Sequence, residues 1–441
     1  MNNHSWGIYI AAYHSSIIFL LLMLALTPSA TAADSMFRAN AEHTGVFDGG
    51  GIVQNNTELW RFKTSGAVSS SPAVSNSTVY VGSHDTYLYA IDAVTGKEKW
   101  RFRTNGIVSS SPAVSNSIVY VGSRDNYLYA VDAVTGKEKW RFKTEGAVYS
   151  SPSVSKGIVY VVSMDGFLYS IDAETGKEKW RFDKGNYVSS QSSPAVSNGV
   201  VYIGGGDKNL YAIEEMTGTE KWRFDIGGIY WPSSPAVSNG VVYIEGYNGY
   251  LYAIDALTGT EKWRFNEGSY YSSRASPAVS NGVLYVVGWD KNIYAIDMVT
   301  GTGMWRFDIG GGYKASSPAV SDGFIYIGSP DKNLYAIDAV TGKEKWRFKT
   351  GDSVSSSPAV SNGIVYFGSN DGYLYAVGGV PTSQVNTQTT SPTQTVATNT
   401  TANWVEFFQI WDRNNLTSVV LLVIVLLFGA LVYDTYYKKK K

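Results

Sequence analysis

The tripeptide Trp-Arg-Phe begins at Trp60, Trp100, Trp140, Trp180, Trp222, Trp263, Trp305 and Trp346, so one unit recurs every 40 to 42 residues. A Ser-Pro element accompanies each copy, with prolines at 72, 112, 152, 194, 235, 277, 318 and 358. A segment of the Leu-Tyr-Ala-Ile-Asp type closes each, from Leu88 to Leu374. Such a period makes the chain one array of small units rather than two or three unrelated domains. Each unit holds four short β-forming runs, WRF, SPAV, VYVGS and YLYAID in the first copies, with turn residues between them. Four strands in a unit of this length predict a β-propeller blade, and eight copies predict an all-β, eight-bladed ring of four-stranded blades. The kelch period is nearer about 50, no Gly-His…Trp-Asp pair supports WD40, and solenoids of this period are mostly helical.

The run Ala90-Ile91-Asp92-Ala93-Val94-Thr95-Gly96-Lys97-Glu98-Lys99-Trp100 fits the pattern AxDxxTGxxxW. It recurs ending at Trp140, Trp180, Trp222, Trp263, Trp305 and Trp346, with Ser170 for Ala and Glu214 for Asp as departures. This pattern resembles the tryptophan-docking motif of pyrroloquinoline-quinone-type (PQQ-like) propellers. The lead-in Met36-Phe37-Arg38…His43-Thr44-Gly45 is similar to the segment that precedes such propellers in exported BamB-like proteins. The resemblance covers roughly residues 36–378. It implies that all eight indoles, from Trp60 to Trp346, pack against the docking segment of a neighbouring blade and form a girdle. Physically, Thr-Gly supplies a tight turn and a buried Trp needs a partner for its N–H, so the pattern suits a contact between blades. Trp60 has no docking motif before it and the last LYAV, ending at Val377, has no WRF after it. The strand Thr57–Phe62 is therefore expected to complete the final blade.

The ends of the chain read differently. An apolar stretch Ile17–Leu26 followed by Ala30-Thr31-Ala32 predicts a signal peptide over 1–32, although residues 1–16 hold no Lys or Arg. A lead-in over 33–56 precedes the propeller, 57–378. Residues 379–403, rich in Thr, Ser, Gln and Asn, predict an extended stalk. Leu416–Tyr433 runs 18 residues without a charge and is followed by Lys438–Lys441, which predicts a spanning helix with a cytoplasmic tail. Trp404, Phe407, Phe408 and Trp411 share one helical face at the outer interface, so 404–437 is read as one juxtamembrane and transmembrane helix. Sequons stand at Asn55, Asn76, Asn399 and Asn415. The expected location is the cell membrane, with the propeller outside.

Composition excludes several functions. With Lys+Arg 36 against Asp+Glu 37, the chain lacks the excess of cations that nucleic-acid binding requires. It has no Cys, hence no thiolate nucleophile, disulfide or iron–sulfur site. Asp85, Asp125, Asp165, Asp207, Asp290, Asp331 and Asp371 occupy one turn position and are expected to cap it; spread around a circumference, they cannot converge on one metal. No GxSxG, HExxH or P-loop occurs, and beyond the signal only His43 and His84 are available for acid–base chemistry.

Differences among copies point to a binding face. The link from WRF to SPAV and the link after VYVGS open at the same end of a propeller. The first is short in early copies and gains aromatic and cationic residues in the fourth to seventh. There it brings Tyr187, Tyr230, Trp231, Tyr270, Tyr271, Arg274, Tyr313 and Lys314; the second adds His84, Arg124, Met164, Tyr247 and Trp289. The first eight residues and Trp289 are the candidate binding residues for a glycan, peptide or planar ligand. The expectation is a non-catalytic cell-surface scaffold for an envelope protein or glycan, with no cofactor and no metal. A PQQ-dependent dehydrogenase and a BamB-like assembly factor are the alternatives. The enzyme branch of the resembled family carries loop insertions, a calcium site, a catalytic Asp and a vicinal Cys pair; uniform units without Cys leave no cofactor residue to carry over.

Overall fold

The computed structural model describes residues 35–47, 56–184, 192–227, 232–267, 274–311 and 315–378. Every repeat folds into an antiparallel four-stranded sheet, and among the described residues the sheets number eight. In the first blade the strands are Ala73–Ser75 innermost, then Thr78–Gly82, Tyr87–Asp92 and, outermost, Glu98–Arg103. The inner strand is short because Ser-Pro ends its ladder on one side and a turn at Asn76 and Ser77, both with positive φ, ends it on the other. Seven blades are continuous in sequence. The eighth takes Ala359–Ser361, Ile364–Gly368 and Tyr373–Gly378 from one end of the domain and Glu58–Lys63 from the other. Glu58 pairs with Val377 and Lys63 with Tyr373, so the strand expected over Thr57–Phe62 does close the ring, one residue further along.

The core is divided into clusters that each span two blades. Tyr80, Leu88 and Ala90 of the first blade pack on Val119, Val121, Tyr129 and Val131 of the second. The same arrangement joins Tyr366, Leu374 and Ala376 of the eighth to Val79, Val81, Tyr89 and Ile91 of the first. No blade buries both its faces alone, which is why the repeats need closure.

The tryptophans dock as the motif implies. Trp100 Nε1 donates to Ala133 O at 3.0 Å, Trp140 to Ala173 O at 3.1 Å and Trp60 to Ala93 O at 3.0 Å, each onto the following blade. The indoles are half-buried, not buried as expected, because the outer strand leaves one ring face to solvent. The same carbonyl accepts a second donor from the second strand: Tyr80 Oη on Ala133 O at 3.1 Å, and Tyr120 on Ala173 O at 3.0 Å. The turn aspartates cap as expected and also tie blades together. Asp125 Oδ1 accepts from Tyr127 N, while Oδ2 accepts from the Tyr129 hydroxyl and from Asn105 N of the previous blade.

Candidate functional site

Each link into an inner strand ends in Ser-Ser-Pro or a close variant, and the positions before the proline have separate tasks. The serine next to the proline builds a ring. Ser71 N donates to Ser111 Oγ at 3.0 Å, Ser111 N to Ser151 Oγ at 3.1 Å and Ser151 N to Ser193 Oγ at 2.9 Å. The chain of bonds runs on through Ser234, Ser276, Ser317 and Ser357. It closes where Ser357 N donates to Ser71 Oγ at 3.0 Å. The preceding serine is a clamp: Ser70 Oγ donates to Ser110 O of the next link and accepts from Gly82 N of its own blade, both at 3.0 Å. With two positions fixed this way, the third before the proline turns inward. Ser69, Ser109, Tyr149, Pro232, Arg274, Ala315 and Ser355 all line one central cavity with the eight ring serines.

That cavity measures about 490 Å³ and opens on the face where both kinds of link emerge. Its floor comes from the lead-in. Val114, Val196, Val237, Val279 and Val320 stand three residues beyond their ring serines on the inner strands. Val114 exchanges two backbone hydrogen bonds with Ser35, and Val196, Val237, Val279 and Val320 donate their N–H to the carbonyls of Ala41, Glu42, Thr44 and Gly45 respectively. Arg38, buried in this plug, donates to the carbonyls of His43, Pro277 and Pro318. Burial lowers its pKa to about 9. His43 is wholly buried with Nε2 2.9 Å from Ser153 Oγ. Burial first, then the Arg38 charge, lowers its pKa to about 3. Phe37 packs edge-on to the His43 ring, 5.4 Å between centroids, and faces the cavity.

The walls are polar and cationic. His84 Nε2 lies 2.8 Å from Ser69 Oγ, and burial together with nearby Arg124 lowers its pKa, so the ring is neutral at pH 7. Arg124 lies over the Tyr149 ring at 4.6 Å, and its Nε has no hydrogen-bond partner. Asn370 Oδ1 accepts from Ser355 at 3.2 Å. Among the described lining residues there is no carboxylate. Asp85, adjacent to His84, has its carboxylate engaged by Ser65 N, Tyr87 N and the Tyr89 hydroxyl, so it caps its turn instead of orienting the imidazole.

Of the nine candidates from sequence, Arg274 lines the cavity. Trp289, on the second link of the sixth blade, is half-buried and is not among the residues that line the cavity. Tyr187, Tyr230, Trp231, Tyr270, Tyr271, Tyr313 and Lys314 lie outside the described residues. The structure instead gathers His84, Arg124 and Tyr149 from the first three blades. Tyr149 carries the one visible signal that could have marked it, an aromatic where the two preceding copies have serine. Two further groups had no sequence signal. Lys184 is buried at a position that is Thr in four copies and Ile in two, its pKa lowered to about 8 by desolvation against the opposing pull of Asp207, Asp165 and Asp183. Glu267 is buried beside Glu245, and desolvation first, then that neighbouring charge, pushes its carboxyl well above the ordinary range.

The fold and its tryptophan girdle define a PQQ-type eight-bladed propeller with a serine-lined mouth. The family model described as outer membrane protein assembly factor BamB matches residues 51–141, 105–226, 184–297 and 290–408, and the chain belongs to this family. Among solved structures it is similar to BamB from Moraxella catarrhalis, at 20% identity and TM-score 0.65, over 74% of this chain and 100% of that one. It is also similar to the quinohemoprotein alcohol dehydrogenase of Comamonas testosteroni, at 17% identity and TM-score 0.66, over 81% and 82%. The computationally designed Ika8 protein matches at 19% identity and TM-score 0.64, over 74% and 100%. These likenesses show the fold. None of the curated proteins matches the chain.

The residues present do not fit a metal-bound quinone. A hard cation needs several oxygen ligands with carboxylates among them, and the described lining residues supply hydroxyls and guanidinium groups. The segments of the links outside the described residues contain neither Asp nor Glu. Among the described residues no group of three metal-ligating side chains converges elsewhere.

Proposed function

We propose that this protein is a non-catalytic binding scaffold of the cell envelope, presenting the serine-lined mouth to an envelope protein or glycan. Its C-terminal stretch Leu416–Tyr433 holds it at the membrane in this reading, with the propeller outside. That stretch lies outside the described residues, among which no helix is long and apolar enough to cross a bilayer. The supporting observation is the inventory of the mouth: hydrogen-bond donors and cations on one ring and, among the described lining residues, neither a base oriented for catalysis nor a carboxylate for a metal. Membership of the BamB-described family supports an interaction role, and sites of this kind recognise partners through a few convergent polar groups in a concave wall.

The test is capture from the host envelope by cross-linking with the full-length tagged chain. A discrete partner or glycan fraction is expected, and Arg124→Glu should lose it while thermal unfolding stays within about 2 °C, since the half-buried Arg124 has no hydrogen bond at Nε to lose. Dye-linked oxidation of alcohols after loading with PQQ and calcium is expected to be absent. Turnover there, abolished by Arg124→Glu, would sink the scaffold reading.

A further inference from the structure

We infer that the mouth takes an acidic saccharide, a sugar unit bearing a carboxylate, with the acid on Arg124 and the sugar oxygens on the serine ring. This deepens the scaffold reading and rests on it. Each ring serine accepts one backbone N–H from its neighbour, and among the described residues none of the eight hydroxyls donates to a protein acceptor. A serine hydroxyl can donate one bond and accept two. The ring therefore offers eight unspent O–H donors spaced around the whole perimeter of one cavity. Ser109 Oγ, on the same wall, is buried without any partner, and Arg124 Nε is likewise buried and unpartnered. Polar atoms withdrawn from water with no partner are costly unless something outside the chain satisfies them.

Charge then narrows the class. Arg124 and Arg274 line the cavity, His84 is neutral, and no described lining residue is acidic. A guanidinium pairs best with a planar carboxylate or a phosphate-like oxyanion. The distribution of donors separates saccharide from peptide. A peptide anchors through a few apolar or aromatic side chains in apolar pockets, whereas the described lining residues are mostly serines, with Tyr149 already covered by Arg124. Donors on every side suit a ligand with acceptor oxygens on every side, and about 490 Å³ admits one or two sugar rings but not a folded element. Phe37 in the floor closes the channel below, so a glycan enters by its end rather than threading through.

The test is calorimetric titration of the full-length protein with trigalacturonate, with the same trisaccharide after reduction of its carboxyls, with free acetate, and with an acidic tripeptide. Saturable binding of trigalacturonate is expected, weakened at least tenfold by carboxyl reduction and at least tenfold by Arg124→Gln. Ser109→Ala, which removes a hydroxyl without a protein partner, should weaken binding about threefold and leave the unfolding temperature unchanged. Arg124→Lys, keeping the charge but not the fork, should restore only part of the affinity. No binding, equal binding of the reduced sugar, indifference to Arg124→Gln, or tighter binding of the tripeptide or acetate would each overturn the inference. If capture of an envelope protein persists and depends on Arg124 while the sugar fails, the scaffold reading survives and this one does not.

Discussion

At the scale of single residues, the most revealing comparison is between two glycines with the same backbone and different neighbours. Gly136 has φ +69 and a Cβ there would stand 2.7 Å from the Trp100 ring; Gly157 has φ +75 and open space around it. Position 157 corresponds to Ser77 and Ser117, which keep positive φ with side chains. Gly136→Ala is therefore expected to cost about 2–5 kcal/mol, left-handed strain plus displacement of the indole. Gly157→Ala should cost about 1 kcal/mol. Denaturant midpoints decide it, and equal losses would show that backbone strain alone fixes the docking glycine. His43 carries the pH dependence of the plug. Its pKa in the folded chain, about 3, lies below the ordinary value near 6.5, so the unfolded chain binds the extra proton. Stability is fully present above pH 6.5 and falls as pH drops toward 3, by on the order of a few kcal/mol. Unfolding free energies from pH 7 to 4 should fall more steeply for the natural chain than for His43→Asn; parallel slopes would assign the acid sensitivity elsewhere.

At the scale of elements, the outer strand Glu58–Lys63 does what no continuous blade requires, supplying the fourth strand of a sheet that begins some 300 residues later. Removing 56–63 should expose the Tyr373–Gly378 edge and drive self-association through it, seen by light scattering. A monomer with unchanged thermal unfolding would show closure to be dispensable. The strands, their order and this closure were legible because a 40-residue period repeated eight times leaves one arrangement that buries every sheet face. The lead-in was legible only as a segment. It has no apolar alternation, since its bonds to Val114, Val196 and Val320 are made by backbone, and backbone bonding leaves no side-chain pattern. The mouth was legible in part for the same kind of reason. His84 and Arg124 stand out as departures between copies, but their convergence with Tyr149 depends on serine clamps that set which link position turns inward. Trp289 departs just as visibly and stays outside the lining.

At the scale of the whole molecule, stability is a property of circular continuity. Ser111→Ala removes the acceptor of Ser71 N–H and leaves a buried donor unpaired, an expected cost of about 1–3 kcal/mol. Ser276→Ala breaks the ring on the far side. If the ring constrains the blades jointly, the first break releases much of that constraint and the second costs less. The double variant should then fall short of the summed losses by more than the roughly 0.3–0.5 kcal/mol scatter of independent sites. Strict additivity would make the eight bonds eight local contacts.

The ring also has a direction. From Ser71 through Ser357 and back, every N–H points to the hydroxyl of the next blade and none points to the one before. Each hydroxyl oxygen is thus approached by its backbone donor from the same rotational side. Eight identical side chains thereby form a chiral rim, able to separate mirror-image ligands before any of the variable residues makes contact.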